Sequence, residues 1–212
     1  MAAPLLPLAA LPATRRARRK APADRRQDLL AAAIACLARL GPRGATGREV
    51  CRQAGVSHGL LRHYFETPEA LFAAAYGDLC DRFVAEFEAR LTDAALSPDA
   101  ALDAFFTLQF SESWANPDVL GAWIAFWTLT RSDPAFAAVN AGYNQRLRAL
   151  IERALDRLDP CFDRGSAARI LASVMDGLWL ETCLRPDPAG RAEAERLCRM
   201  TLRALAGAVV RI

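Results

Sequence analysis

The chain has 212 residues, 53% of them hydrophobic, with Ala and Leu dominating and few β-branched runs; that is enough for one large or two modest cores and favours helices over sheets. The net charge of +3 hides a division: residues 1–66 carry 12 Lys+Arg against 4 Asp+Glu, and residues 67–212 carry 15 against 20, so a polyanion-binding end is joined to an end that avoids one. The six cysteines (Cys36, Cys51, Cys80, Cys161, Cys183 and Cys198) form no C-x-x-C pair, and all but Cys161 lie in apolar helical patterns. This argues against a disulfide framework or a zinc site and for free thiols in a reducing cytoplasm.

Residues 1–14 are mostly Ala, Leu and Pro, and Arg15–Lys20 reads R-R-A-R-R-K. A signal peptide needs its positive charge ahead of the apolar run. Here the order is reversed, prolines 4, 7 and 12 interrupt the run, and it is far short of a membrane span. Residues 1–23 read as a disordered basic arm, either a phosphate or minor-groove contact or a solvated tail. From Asp24 to Leu40, Leu29, Leu30, Ala33, Ile34, Leu37 and Leu40 fall on one broad helical face, and Gly41–Gly44 ends it.

The stretch Ala45–Leu71 reads as two short helices pinned by a tight turn. Thr46 caps the first, Arg48 to Ala54, whose Val50 and Ala54 share a face. Gly55 supplies a left-handed stop, Val56 an apolar plug, and Ser57 a second cap. The next helix, Ser57 to Tyr64, is too short to stand alone, so Leu61 and Phe65 must anchor it. Its other face offers Ser57, His58, Gly59, Arg62, His63 and Tyr64. This pattern is a helix-turn-helix, whose second helix enters a major groove.

The motif A-G-V-S-H-G-L-L-R-H-Y-F, Ala54–Phe65, resembles the DNA-binding motif of TetR-type repressors, and its H-Y-F ending is most similar to the BetI branch. Ser57, Tyr64 and Thr67 stand at positions that position the DNA backbone in that family. Thr46, Arg48 and Arg52 are candidates for phosphate contact, or else a bare cap and a solvated face. His58, Gly59, Leu60, Arg62 and His63 face the base edges: Gly59 allows close approach, Leu60 suits a thymine methyl, and Arg62 suits bidentate pairing to guanine. The family usually has a Lys at the start of the next helix, where this chain has Pro68. His58 and Arg62 stand where smaller polar residues are common, and the first 23 residues have no counterpart.

Thr67 caps a long helix from Pro68 to about Leu91, about 37 Å in length, with Leu71, Phe72, Ala75, Leu79, Phe83 and Phe87 inward. Repeated S/N/D-P starts mark further helices: Asp99 to Trp114, then to Thr130 after Pro117, then to Leu158 after Pro134. Two more run from Ser166 to Leu184 and from Arg191 to Val209. The expected architecture is all-α and TetR-like. It comprises the arm at 1–23, a three-helix DNA-binding domain at 24–70, and a helical ligand-binding and dimerisation domain at 71–212.

All four tryptophans, Trp114, Trp123, Trp127 and Trp179, fall between residues 110 and 180, together with Tyr143. Trp123 and Trp127 are i,i+4, and Trp179 follows Asp176 by three. Such a group is either core or a cage for a quaternary ammonium, which donates no strong N–H and is recognised by ring faces and a nearby anion. The segments Ala122–Trp127, Asp133–Leu147 and Asp176–Leu180 resemble BetI-type repressors, which implies control of the choline-to-glycine-betaine pathway with choline relieving repression. On that reading Trp114, Trp123, Trp127, Tyr143, Asp176 and Trp179 form the ligand group.

An enzyme fits poorly. The two histidines, His58 and His63, are five apart and roughly 140° around the helix, and no G-x-G-x-x-G, P-loop or H-E-x-x-H occurs. No catalytic residue, cofactor or metal is expected. The partners expected are a pseudo-palindromic DNA duplex, a choline-like effector and a second copy of the chain, with no membrane. Dimerisation falls to the last two helices, through Ala167, Ala168, Leu171, Val174, Met175 and Leu178 in one and Leu197, Met200, Leu202, Leu205 and Val209 in the other. The helix from Pro68 to Leu91 is the one long element expected to link effector and DNA.

Overall fold

A computed structural model describes residues 22–158, 163–185 and 187–208. The basic arm before Pro22, Cys161 and Val209 lie outside the described residues. Those described form nine helices and no strand: α1 Pro22–Gly44, α2 Gly47–Ala54, α3 His58–Tyr64, α4 Pro68–Leu91, α5 Pro98–Gln109, α6 Pro117–Thr130, α7 Pro134–Leu158, α8 Arg164–Leu184 and α9 Pro188–Ala208. Six of the nine begin at a proline. Proline's missing N–H costs nothing in a first turn and its fixed φ suits a helix; the starts at Pro68, Pro98, Pro117 and Pro134 were readable in advance, while α1 and α9 begin two and three residues before the expected Asp24 and Arg191.

Helix α1 keeps helical backbone to Leu40, as expected, because Gly41 turns to φ 65°, ψ 178° before a last short turn. Helix α5 differs from its expected extent: it stops at Gln109, five residues before Trp114. There the Ser111 hydroxyl donates to the Leu108 carbonyl (2.8 Å) and the Asn116 amide to the Glu112 carbonyl (2.8 Å). Such local side-chain bonds compete with helix continuation, and they leave Trp114 on a turn.

The described chain divides into two compact units that do not follow its linear order. One holds the residues up to Cys80 together with Asp118–Val139; the other holds Asp81–Pro117 and the residues from Asn140 onward.

In the first unit α1 packs on α2 and α2 on α3. Leu29, Leu30, Ile34 and Leu37 of α1 are fully buried with Val50 of α2 and Leu61 of α3, which is the support that the short reading helix needs. Helix α6 belongs to this unit. Trp123 stands edge-on to Tyr76 of α4 (5.6 Å between centroids) and Phe126 stacks on it (4.4 Å). Helix α4 passes from the first unit to the second after Cys80, as α7 does after Val139, while α6 lies in the first unit from Asp118.

In the second unit α9 packs on both α8 and α5. Phe87 of α4 meets Phe105 of α5 edge-on (4.7 Å). Five residues expected at the dimer face, Ala167, Ala168, Leu171, Met175 and Leu202, are buried within the single chain. The outward stripe of α8 is Ile170, Val174, Gly177, Glu181 and Leu184, spaced by three and four. Ile170 is 46% exposed, Leu184 63%, and Met200 of α9 50%.

Gly55 (φ 64°, ψ 36°) ends α2, with nothing near the place of a Cβ. Gly55→Ala is therefore expected to cost about 1–2 kcal/mol through backbone strain alone. Gly77→Ala inside α4, also in open space, is expected to gain up to about 1 kcal/mol. Urea unfolding of the two variants checks both signs.

Candidate DNA-reading face and effector group

The helix-turn-helix is assembled by backbone chemistry that the sequence encodes residue by residue. Thr46 Oγ1 accepts from the Glu49 N–H (3.3 Å). At the other end of α2, the Gly55 N–H donates to the Arg52 carbonyl (3.4 Å) and the Val56 N–H to the Cys51 carbonyl (3.0 Å), the paired bonds of a Schellman stop. Ser57 Oγ then accepts from the Leu60 N–H (3.2 Å), and Thr67 Oγ1 from the Ala70 N–H at the start of α4 (3.1 Å). Thr46, Ser57 and Thr67 thus all serve as caps, and each hydroxyl stays on an exposed residue.

Along α3, His58, Gly59, Arg62 and His63 are exposed, Leu60 and Tyr64 are half-buried, and Leu61 is the buried anchor. His63 and Tyr64 meet in a T-shaped, edge-on arrangement with ring centroids 5.1 Å apart. The His58 ring folds back toward the start of α2, where its Nε2 stands 3.6 Å from the place of a Cβ on Gly47.

Arg48 is exposed. Arg52 is exposed too, but its guanidinium is already engaged by Glu49, with Nε donating to Oε2 at 3.0 Å. Arg39 of α1 reaches the same carboxylate at 3.4 Å and Gln53 at 3.4 Å. The Arg52 hydrogen bond, helped by the charge of Arg39, holds the Glu49 carboxyl below its ordinary range. A phosphate contact by Arg52 must displace this exposed pair, whose worth in water is small. The part played by Arg39 and Glu49 was missed in sequence, although their charges flank the motif.

The expected ligand residues fall in both units. Trp123 and Trp127 lie in the first, with ring centroids 6.2 Å apart. Trp123 is buried and Trp127 is 37% exposed. Trp114, Tyr143, Asp176 and Trp179 lie in the second. There the Trp179 Nε1–H donates to the Trp114 carbonyl (2.8 Å) and the Trp114 Nε1–H to Glu86 Oε2 (2.8 Å). Phe83 of α4 joins the set, 4.8 Å from the Trp114 ring and 5.8 Å from Tyr143, edge-on to both. Sequence reading placed Phe83 on an inward face without linking it to this group, and did not notice Glu86 three residues on.

Asp176 stands one turn before Trp179 on α8. The protein around it pushes its carboxyl up to about 6, and the Arg148 guanidinium pulls it back. Its side chain is nevertheless exposed on the single chain, and water at that surface limits the rise. At neutral pH it is an anion.

Among the described residues no group of His, Cys, Asp and Glu is placed to hold a metal, and no helix is long and apolar enough to cross a membrane.

A helix-turn-helix of two short capped helices supported by α1, in an all-helical chain whose other helices carry aromatic residues, defines the class of helix-turn-helix transcriptional regulators. Residues 29–75 match the model of bacterial regulatory proteins of the tetR family, and residues 98–207 match that of the BetI-type transcriptional repressor C-terminal domain. The HTH-type transcriptional regulator BetI 2 of Chromohalobacter salexigens is 32% identical over 84% of this chain and 86% of its own length. A transcriptional regulator of Pseudomonas aeruginosa PAO1 matches in structure with a TM-score of 0.83 at 34% identity, covering 91% of this chain and 96% of that one. A regulator from Saccharomonospora viridis, solved in complex with choline, shares the fold with a TM-score of 0.73 at 15% identity, over 85% of this chain and 96% of that one. The chain belongs to the BetI-type branch of the TetR family. It is a ligand-responsive transcriptional repressor and not an enzyme.

Proposed function

We propose that this repressor binds a pseudo-palindromic operator as a homodimer in the cytoplasm and is released by choline or a closely related quaternary ammonium, so that choline-to-betaine genes are expressed when the substrate is present. The observation that carries the effector reading is the joined aromatic group of the second unit. Trp179 and Trp114 are tied by a hydrogen bond of 2.8 Å, Phe83 stands against Trp114 and Tyr143, and the anionic Asp176 is one helical turn from Trp179. Ring faces and a carboxylate are what a trimethylammonium group requires, each face contributing roughly 0.5–2 kcal/mol. The BetI relatives, and the choline held by the Saccharomonospora viridis regulator, support the same chemistry. The exposed stripe of Ile170 and Leu184 on α8, with Met200 on α9, supports a two-fold contact between copies.

On the DNA side, Arg62 and His58 read base edges with Gly59, Leu60 and His63, while Ser57, Tyr64, Thr67, Thr46, Arg48 and Arg52 position the phosphates. An effector loosens this grip only by binding better to a form whose two reading helices are wrongly spaced. By linkage, DNA weakens effector binding by the same factor. Choline titrated into operator-bound protein tests the reading, with release at saturating choline as the expected result. Failure of choline to bind the free protein would remove the effector assignment and leave the repressor.

A pH dependence follows from Asp176. Its carboxyl is pushed up toward about 6 by the protein around it, and no further because its side chain is exposed, and a bound cation favours the ionised form. Choline affinity is therefore expected to be full above that pH and to decline as pH falls through it. Calorimetric titrations at pH 7.5 and 5 check this, and Asp176→Asn should remove both most of the affinity and its pH dependence.

A further inference from the structure

Within the first unit, α1 and α6 approach more closely than side chains permit. A Cβ placed on Gly121 of α6 would stand 2.6 Å from the Ala38 carbonyl oxygen, 3.2 Å from the Ala38 Cα and 3.3 Å from its carbonyl carbon. All three atoms are backbone, so no change of rotamer could relieve the contact; one helix would have to move. Glycine is otherwise unfavourable inside a helix, and the helical Gly77, Gly142 and Gly177 all have open space where a Cβ would go. Gly121 alone of these four seats its helix on another helix's main chain.

The neighbours of this seat make it mechanical. Two and five residues after Gly121, Trp123 and Phe126 pack on the fully buried Tyr76 of α4. Helix α1, on the other side of the seat, packs on α2 and is tied to α4 where the Gln27 amide donates to Asp78 (2.9 Å). Helix α6 is thus keyed to α4 through rings and to α1 through backbone. Packed contacts of this kind shift between discrete arrangements rather than deform smoothly, so a sub-ångström change at the seat carries to the reading helix.

We propose that Gly121 is a positioning residue for operator binding: it lets α6 bear directly on α1, so that α6 sets where the helix-turn-helix stands and passes its own displacement to it without going through α4. The inference rests on the family's DNA binding and not on the identity of the effector. It uses the two-fold operator proposed above only for the spacing readout.

The test compares Gly121→Ala with the control Gly77→Ala on duplexes selected from a random library by the wild type. Gly121→Ala is expected to bind the wild-type operator on the order of tenfold more weakly and to select a half-site spacing changed by about one base pair, while Gly77→Ala matches the wild type on both. A changed spacing preference is something that lost stability by itself does not produce. Wild-type affinity and spacing in Gly121→Ala, an equal loss in Gly77→Ala, or weakened binding with the spacing preference unchanged would each overturn the proposal. Should Gly121→Ala fail to fold, or should the wild type select a single unrepeated site (which would sink the dimeric reading instead), hydrogen exchange of the wild type decides. Operator duplex must then raise protection of residues 34–40 and 118–124 together, and protection confined to α1 overturns the proposal.

Discussion

Arg62→Ala is expected to cost about 1–3 kcal/mol in each half-site, and so roughly thirtyfold to more than ten-thousandfold in the affinity of a dimer for its operator. The side chain is exposed in the last turn of α3, about 100° around the helix from the buried Leu61 that fixes it in place. A guanidinium there can pair with both acceptors of a guanine, which a phosphate contact would not distinguish. The measurement is affinity on a panel of duplexes carrying each base at every position. If Arg62 reads a base, the variant becomes indifferent at one position per half-site and stays selective elsewhere. Uniform weakening on every duplex, with a salt slope smaller by about one per half-site, would make Arg62 a phosphate contact instead.

Trp179→Ala is expected to abolish release by choline while leaving operator affinity without effector close to that of the wild type. It also carries a stability cost. The ring is 4% exposed and its Nε1–H donates to the Trp114 carbonyl, so truncation leaves a cavity and an orphaned acceptor, about 3–5 kcal/mol in total. Trp179→Phe separates the two roles. It keeps an aromatic face for the cation and loses the hydrogen bond, so it should keep a weakened release at a cost of about 1 kcal/mol. Choline titrations of operator complexes, run beside thermal unfolding, read both quantities. Normal release by both variants would make Trp179 a core residue and remove it from the effector group.

Much of the fold was legible because helix boundaries here are written in single residues. Thr46, Gly55, Ser57 and Thr67 occupy the caps and the stop that their chemistry predicts, and prolines mark the first residue of α4, α5, α6 and α7. Where the reading missed, a local competitor had been overlooked. The helix opened by Ser97-Pro98 was expected to reach Trp114, but the Ser111 hydroxyl and the Asn116 amide take local backbone carbonyls where it stops. The reading of α8 failed differently. It carries apolar residues on more than one face, and periodicity cannot say which face a neighbour covers. Helix α9 packs on α8, and Ala168, Leu171 and Met175 are buried while Ile170 and Leu184 are left outside.

By itself, the sequence determined the all-α class and the helix-turn-helix, because capping, turn stereochemistry and amphipathic period act over a few residues and leave a local mark. Only the tertiary structure decided which helices share a unit. Nothing in the text of α6 says that Gly121 meets the Ala38 backbone or that Trp123 is buried against Tyr76. Nor does the spacing of the tryptophans say that Trp114 and Trp179 are bonded to one another while Phe83 and Glu86 complete their surroundings. These contacts join residues tens of positions apart, and they arise from how buried surfaces fit, a property of pairs of helices that no single helix carries in its sequence.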